Sequence, residues 1–170
     1  MAFLSRRLRV PRELSSVIPK RERVLAWGLG PERSDGEPTV VAATIAAFYA
    51  PGYVDPLPWS DILRATWDDP ILEIAYRQTD VRKPALLRIT LDAPGSLPLA
   101  VRDRVEDTIV VQHHVALVGS AGARLIARRV PNSDDISWVI VFDSSLDPDD
   151  PQLRAEADAA LTEFRSNLGI

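Results

Sequence analysis

At 170 residues, with 46% hydrophobic and 26% charged side chains, the chain has the make-up of a globular domain with its own core, which argues against wholesale disorder. Cysteine is absent, and that excludes a disulfide framework, a thiolate zinc site and a cysteine nucleophile. The net charge of −4 hides an asymmetry, because within residues 1–23 Arg6, Arg7, Arg9, Arg12, Lys20, Arg21 and Arg23 oppose only Glu13 and Glu22. A basic N-terminal arm, 1–22, is therefore expected ahead of one α+β domain, 23–170, that is more acidic than the whole.

The arm carries Pro11 and Pro19, so no long helix is expected there, only a short turn of helix around Arg12–Val17. The apolar run Arg23–Leu29, closed by Gly30-Pro31, predicts a first strand, and Pro31–Pro38 a surface turn. Thr39–Ala50 is apolar throughout and rich in β-branched and aromatic residues, which predicts a single strand covered on both faces. Pro56–Ser60 reads as a turn. Leu63, Ala65 and Trp67 then alternate with Arg64 and Thr66, and Asp68-Asp69-Pro70 breaks the chain. Leu72, Ile74 and Tyr76 share one face of the next strand. Ala85, Leu87, Ile89 and Leu91 share one face of a third, opposite Arg88 and Thr90, the alternation of an antiparallel sheet with one wet face.

Ser96 as cap and Pro98 in the first turn predict a short helix over 97–107, with Val101 and Val105 on one side and an Arg102–Glu106 pair on the other. Ile109–Leu117 and Arg124–Val130 are expected as a hairpin around the loop 118–123, Pro131–Asp135 as a turn, and Ile136–Phe142 as a last strand. The terminal helix is expected over 151–168: Asp150 caps it and Pro151 opens it. Leu153, Ala157, Leu161, Phe164 and Leu168 then form one stripe, and Gly169 stops it. The elements together predict a strongly bent, mostly antiparallel sheet of about 7–8 strands, a roll or barrel, closed by that helix.

The segments Val24-Leu25-Ala26-Trp27-Gly28, Leu57-Pro58-Trp59-Ser60-Asp61-Ile62, Ala65-Thr66-Trp67-Asp68, Ala127-Arg128-Arg129, Ser137-Trp138, Phe142-Asp143 and Leu146–Pro151 resemble a family of uncharacterised proteins from high-GC Gram-positive bacteria. The likeness runs from about residue 19 onward and implies no catalytic residues. Pro58–Ile62 and the closing helix also resemble, more loosely, bacterial domains of the pleckstrin-homology-like class, which implies a strongly bent sheet.

Few residues invite chemistry. His113 and His114 are the only histidines, and adjacent strand positions turn them to opposite faces, so they cannot share a metal; either could act with a distant carboxylate. Asp143, Asp147, Asp149 and Asp150 lack the glycine and the terminal glutamate of a calcium loop and read as a turn with a helix cap. Gly119-Ser120-Ala121-Gly122 lacks the Lys-Ser/Thr of a phosphate loop and reads as a hairpin turn. Three tryptophans fall in strands as core residues, while Trp59 sits in a turn as a candidate exposed anchor.

No catalytic residue, cofactor or metal is therefore expected. The expected role is a cytoplasmic, non-catalytic binding module whose partner is another protein. The candidate contact surface comprises Arg6, Arg7, Arg9, Arg12, Trp59, Arg128 and Arg129. Contact of the basic arm with an anionic membrane or nucleic acid is the alternative, and an enzyme using isolated carboxylates such as Asp61, Asp68 or Asp69 a third reading. The apolar residues of Met1–Arg7 precede its positive charges, the reverse of a secretory signal, and no apolar run approaches the roughly 20 residues of a membrane span.

Overall fold

The computed structural model describes residues 10–78, 81–129 and 135–169, with backbone alone at 81 and 82. Packing divides the chain into two compact units, Met1–Glu106 and Asp107–Ile170.

In the first unit, helix α1 (Arg12–Val17) precedes a four-stranded antiparallel meander of β1 (Val24–Glu32), β2 (Pro38–Thr44), β3 (Ala47–Ala50) and β4 (Val54–Pro58). A 3₁₀ turn, Trp59–Asp61, leads to a three-stranded meander of β5 (Ile62–Asp68), β6 (Ile71–Gln78) and β7 (Val81–Thr90), followed by α2 (Leu97–Asp107). Phe48, Ile62, Leu72, Ile74, Ile89, Leu91, Leu97 and Val101 make the main core, drawing on both meanders and α2. The meanders meet where Leu29 and Ala93 exchange two backbone hydrogen bonds of 2.9 Å. Gly30 permits that approach, because a Cβ there would lie 2.2 Å from the Thr90 carbonyl oxygen.

Strand β2 is buried on both faces. Val41 and Ala43 enter the main core, while Val40 and Ala42 pack with Tyr49 against Leu14 and Ile18 around α1. The second half of the arm is thus held down by two buried apolar side chains rather than standing free.

The second unit is a meander of β8 (Ile109–Val118), β9 (Ala121–Arg129) and β10 (Ile136–Phe142), in the order β10-β9-β8, with helix α3 (Pro151–Leu168) packed on β8. Asp150 Oδ1 accepts the N–H groups of Gln152 and Leu153, Pro151 opens the helix, and Gly169 ends it at φ 74°. Both longer helices have the bounds that the sequence predicts. The stripe of α3 is shallower than expected: Ala157 is buried, Leu153, Leu161 and Phe164 are half-buried, and Leu168 is exposed.

The architecture is α+β with antiparallel sheets, but in place of the expected roll or barrel of 7–8 strands the described residues form ten strands in three sheets. Two local features account for the higher count. Thr39–Ala50 is two strands, because Thr44 accepts the Ala47 N–H at 3.0 Å and closes a tight turn at Ile45-Ala46. Ile45 is exposed in that turn, so its apolar character disguised it. Pro56 and Pro58 lie within β4, an outer strand, where a missing N–H is tolerated. The loop of the β8–β9 hairpin shrinks to Gly119-Ser120, since Ala121 already pairs with Val118. The turn expected over Pro131–Asp135 lies, up to residue 134, outside the described residues.

Candidate interaction surface

The segment from α1 into β1 is positioned by one half-buried acid, Glu22. Tyr49 donates its hydroxyl to Glu22 Oε2 at 2.7 Å, and the Thr44 hydroxyl donates to Glu22 Oε1. Burial, then the hydrogen bond and charge of Glu22, push the Tyr49 hydroxyl up to about 12. Trp59 Nε1 donates to the Thr44 carbonyl at 3.1 Å, so the indole clamps the same turn from the main core.

Glu22 is thus turned inward while the cations around it are not. Arg12, Lys20, Arg21 and Arg23 are exposed, and none is paired with an acid among the described residues. The apolar side chains of the same stretch, Leu14 and Ile18, are spent on the core, and Val17 alone is exposed.

The expected contact residues do not converge. Arg6, Arg7 and Arg9 lie outside the described residues. Arg12 is exposed on α1, and Arg129 is exposed at the end of β9. Trp59 is 4% exposed, with its ring 6.5 Å from that of Phe48, which corrects its reading as an exposed anchor. The turn that bears it folds inward because the indole finds both an apolar neighbour and a carbonyl there. Arg128 is likewise removed from the surface, at 0% exposure with Nη1 donating to Thr108 Oγ1 at 2.7 Å. Strand alternation explains the contrast, since Arg128 and Arg129 must point to opposite faces.

In the second unit the two histidines part as alternation requires. The His113 ring stacks on Phe164 at 5.0 Å, and Phe164 meets Trp138 edge-on at 5.8 Å with Arg165 above that indole. His114 Nε2 lies 3.1 Å from Asp143 Oδ2, which also accepts the Gly122 N–H at 2.8 Å. Those two bonds, the backbone one first, hold the Asp143 carboxyl below its usual range. The pair is the distant carboxylate that sequence left open for a histidine. It lies in the open, with His114 at 43% side-chain exposure, and it works as a clip between β8 and the end of β10. The other acids of the cluster serve the backbone: Asp147 accepts from the Asp149 N–H and Asp150 caps α3. Among the described residues no three His, Asp or Glu side chains gather as metal ligands.

A cleft of about 160 Å³ opens beside β8, floored by Val115, Leu125 and Ala160 and rimmed by His113, Glu163 and Asn167. Another, of about 200 Å³, lies between Trp67 and Leu72 on one side and Pro98, Leu99 and Arg102 on the other. Neither brings together an acid, a base and a nucleophile. No protein-family model matches the chain, and neither a curated protein nor a solved structure matches it.

Proposed function

We propose that the chain is a non-catalytic binding module that grips an acidic surface of another protein through its basic segment, chiefly Arg12, Lys20, Arg21 and Arg23. The observation that carries this reading is the sorting of charge in one short stretch. Of its two acids Glu22 is clamped inward and Glu13 stays exposed, while Arg12, Lys20, Arg21 and Arg23 face outward with no partner among the described residues. Unpaired exposed cations raise the local potential and steer an anionic partner toward the segment. The proposed scaffold is a pleckstrin-homology-like one, on the likeness of Pro58–Ile62 and of the C-terminal helix Pro151–Leu168. A cytoplasmic setting accords with the lack of cysteine and with the absence, among the described residues, of a helix long and apolar enough to cross a membrane.

The alternative is contact with an anionic membrane or with nucleic acid. Burial of Leu14 and Ile18 weighs against the membrane, because it leaves Val17 as the one large apolar side chain exposed among the described residues of the segment. Burial of Trp59 weighs against single-stranded nucleic acid, because it removes a stacking platform.

The test is charge reversal rather than truncation, since deleting the arm also removes Leu14, Ile18 and Glu22 from the fold. Full-length protein and a variant with Arg12, Lys20, Arg21 and Arg23 all changed to Glu are used as baits in a lysate of the source cells. A protein captured by the native chain and lost with the variant supports the reading. Capture unaffected by the four changes overturns it, and retention of nucleic acid or anionic vesicles instead establishes the alternative.

A further inference from the structure

The outer strands of the first unit are guarded against pairing with another chain. Strand β4 carries Asp55, Pro56 and Pro58, β5 carries Arg64 and Asp68, β7 carries Lys83, Pro84 and Arg88, and β1 has Pro31 and Glu32 and is bridged by Ala93. Charges and prolines at such positions are how sheets avoid edge-to-edge association. Strand β8 has none of them. Its ten residues, I-V-V-Q-H-H-V-A-L-V, hold no Asp, Glu, Lys, Arg, Pro or Gly, and it is an outer strand. Gln112, His113, His114 and Ala116 are exposed on both faces of it, and Val110 and Val118 are exposed at its ends. The opposite outer strand, β10, is also uncharged, but only Ile136 of it is exposed.

We infer that β8 is a self-association edge, pairing antiparallel with β8 of a second copy of this chain about a two-fold axis at His113. Two observations and one symmetry rule argue for this occupant and for an axis near the middle of the strand. An uncharged strand meets its own copy without opposing like charges. Its register with β9 shifts only between Ile109 and Val111 and between Ala116 and Val118, so the stretch 111–116 is regular and free to pair. A two-fold axis normal to the sheet must match side chains of the same face, which permits centring on a residue and not between residues. Centring on His113 sets Val111 opposite Val115 of the other copy on the helix side, and Gln112 opposite His114 on the other side. The cleft between β8 and α3, floored by Val115, Leu125 and Ala160, leaves room at the edge for the incoming valines. The inference is independent of the basic segment, which belongs to the other unit.

The absence of cysteine makes the test direct. The native chain should sediment as a dimer. His113→Cys should form a disulfide-linked dimer under mild oxidation, because residues at the axis bring their Cβ atoms within about 4.5–5.5 Å of each other, whereas Glu13→Cys on α1 should not. Ala116→Lys, which supplies the missing guard, should shift the chain to monomer with an unchanged circular dichroism spectrum. A native chain that is monomeric at its solubility limit overturns the inference. So does a dimer indifferent to Ala116→Lys, or one that cross-links through His114→Cys and not through His113→Cys.

Discussion

The Tyr49 hydroxyl and the Glu22 carboxylate, 27 residues apart in the chain, meet at 2.7 Å and tie the segment after α1 to the β2–β3 turn. Tyr49→Phe removes a hydrogen bond to a charged group and is expected to cost about 1.5 kcal/mol, toward the low end for such bonds because Glu22 is only half-buried. The raised Tyr49 pKa also fixes a pH dependence. Unfolded tyrosine ionises near 10.0 and folded Tyr49 near 12, so stability is complete below pH 10 and falls as the pH climbs through 12. Alkaline denaturant melts of the native chain should show that fall, and Tyr49→Phe should flatten it.

Trp59→Ala should act on folding. The side chain is 4% exposed and donates to the Thr44 carbonyl, so truncation leaves a cavity and an unpaired acceptor at the β2–β3 turn. A loss of about 3–5 kcal/mol is expected in urea unfolding. A near-neutral effect would return Trp59 to the surface.

Two glycines separate steric from conformational demands. A Cβ on Gly122 would lie 1.8 Å from the Val115 carbonyl oxygen, inside the β8–β9 ladder, so Gly122→Ala must move backbone and should cost about 3 kcal/mol or more. Gly36 has open space around it but a φ of +80°, so Gly36→Ala should cost only about 1 kcal/mol. Thermal melts of the two variants should rank in that order.

The Asp143 carboxyl is held low mainly by the Gly122 N–H and next by His114. Its contribution to stability is present above the ordinary carboxylate value of 3.8 and is lost as the pH falls through its own lower value. His114→Ala should therefore raise the Asp143 pKa only part of the way back, because the backbone bond remains. A carboxyl NMR titration reads this, and full reversion would show that the histidine dominates.

Asp150→Ala should remove the acceptor of two N–H groups at the start of α3 and cost about 1 kcal/mol, whereas Asp150→Asn should largely preserve the cap. Helix content near the melting transition checks both.

Much of the chain was legible because the rules involved are local. The cap, proline and glycine that bound α3, the pair Arg102–Glu106 at 3.0 Å on α2, and the alternation in β6 and β7 depend on residues within a few positions of one another. The errors arose where a local signal was outweighed. Ile45 looked like strand and is a turn, and Pro56 and Pro58 looked like a turn and are an edge strand.

The site was less legible than the fold, for the same reason. Sequence located the cations of the arm, but only packing showed that Glu22 faces Tyr49 and that Arg12, Lys20, Arg21 and Arg23 remain outside. Sequence could name His113, His114 and Asp143, but not that the second histidine reaches the carboxylate across 29 residues while the first stacks on Phe164. By itself the sequence determined where the helices lie and where β5, β6, β8 and β10 begin and end to within a residue, since backbone hydrogen bonding and capping act over a few residues. The tertiary structure decided which side of each element is wet, because the burial of Trp59 or Arg128 depends on what distant segment covers it, and no local pattern carries that distance.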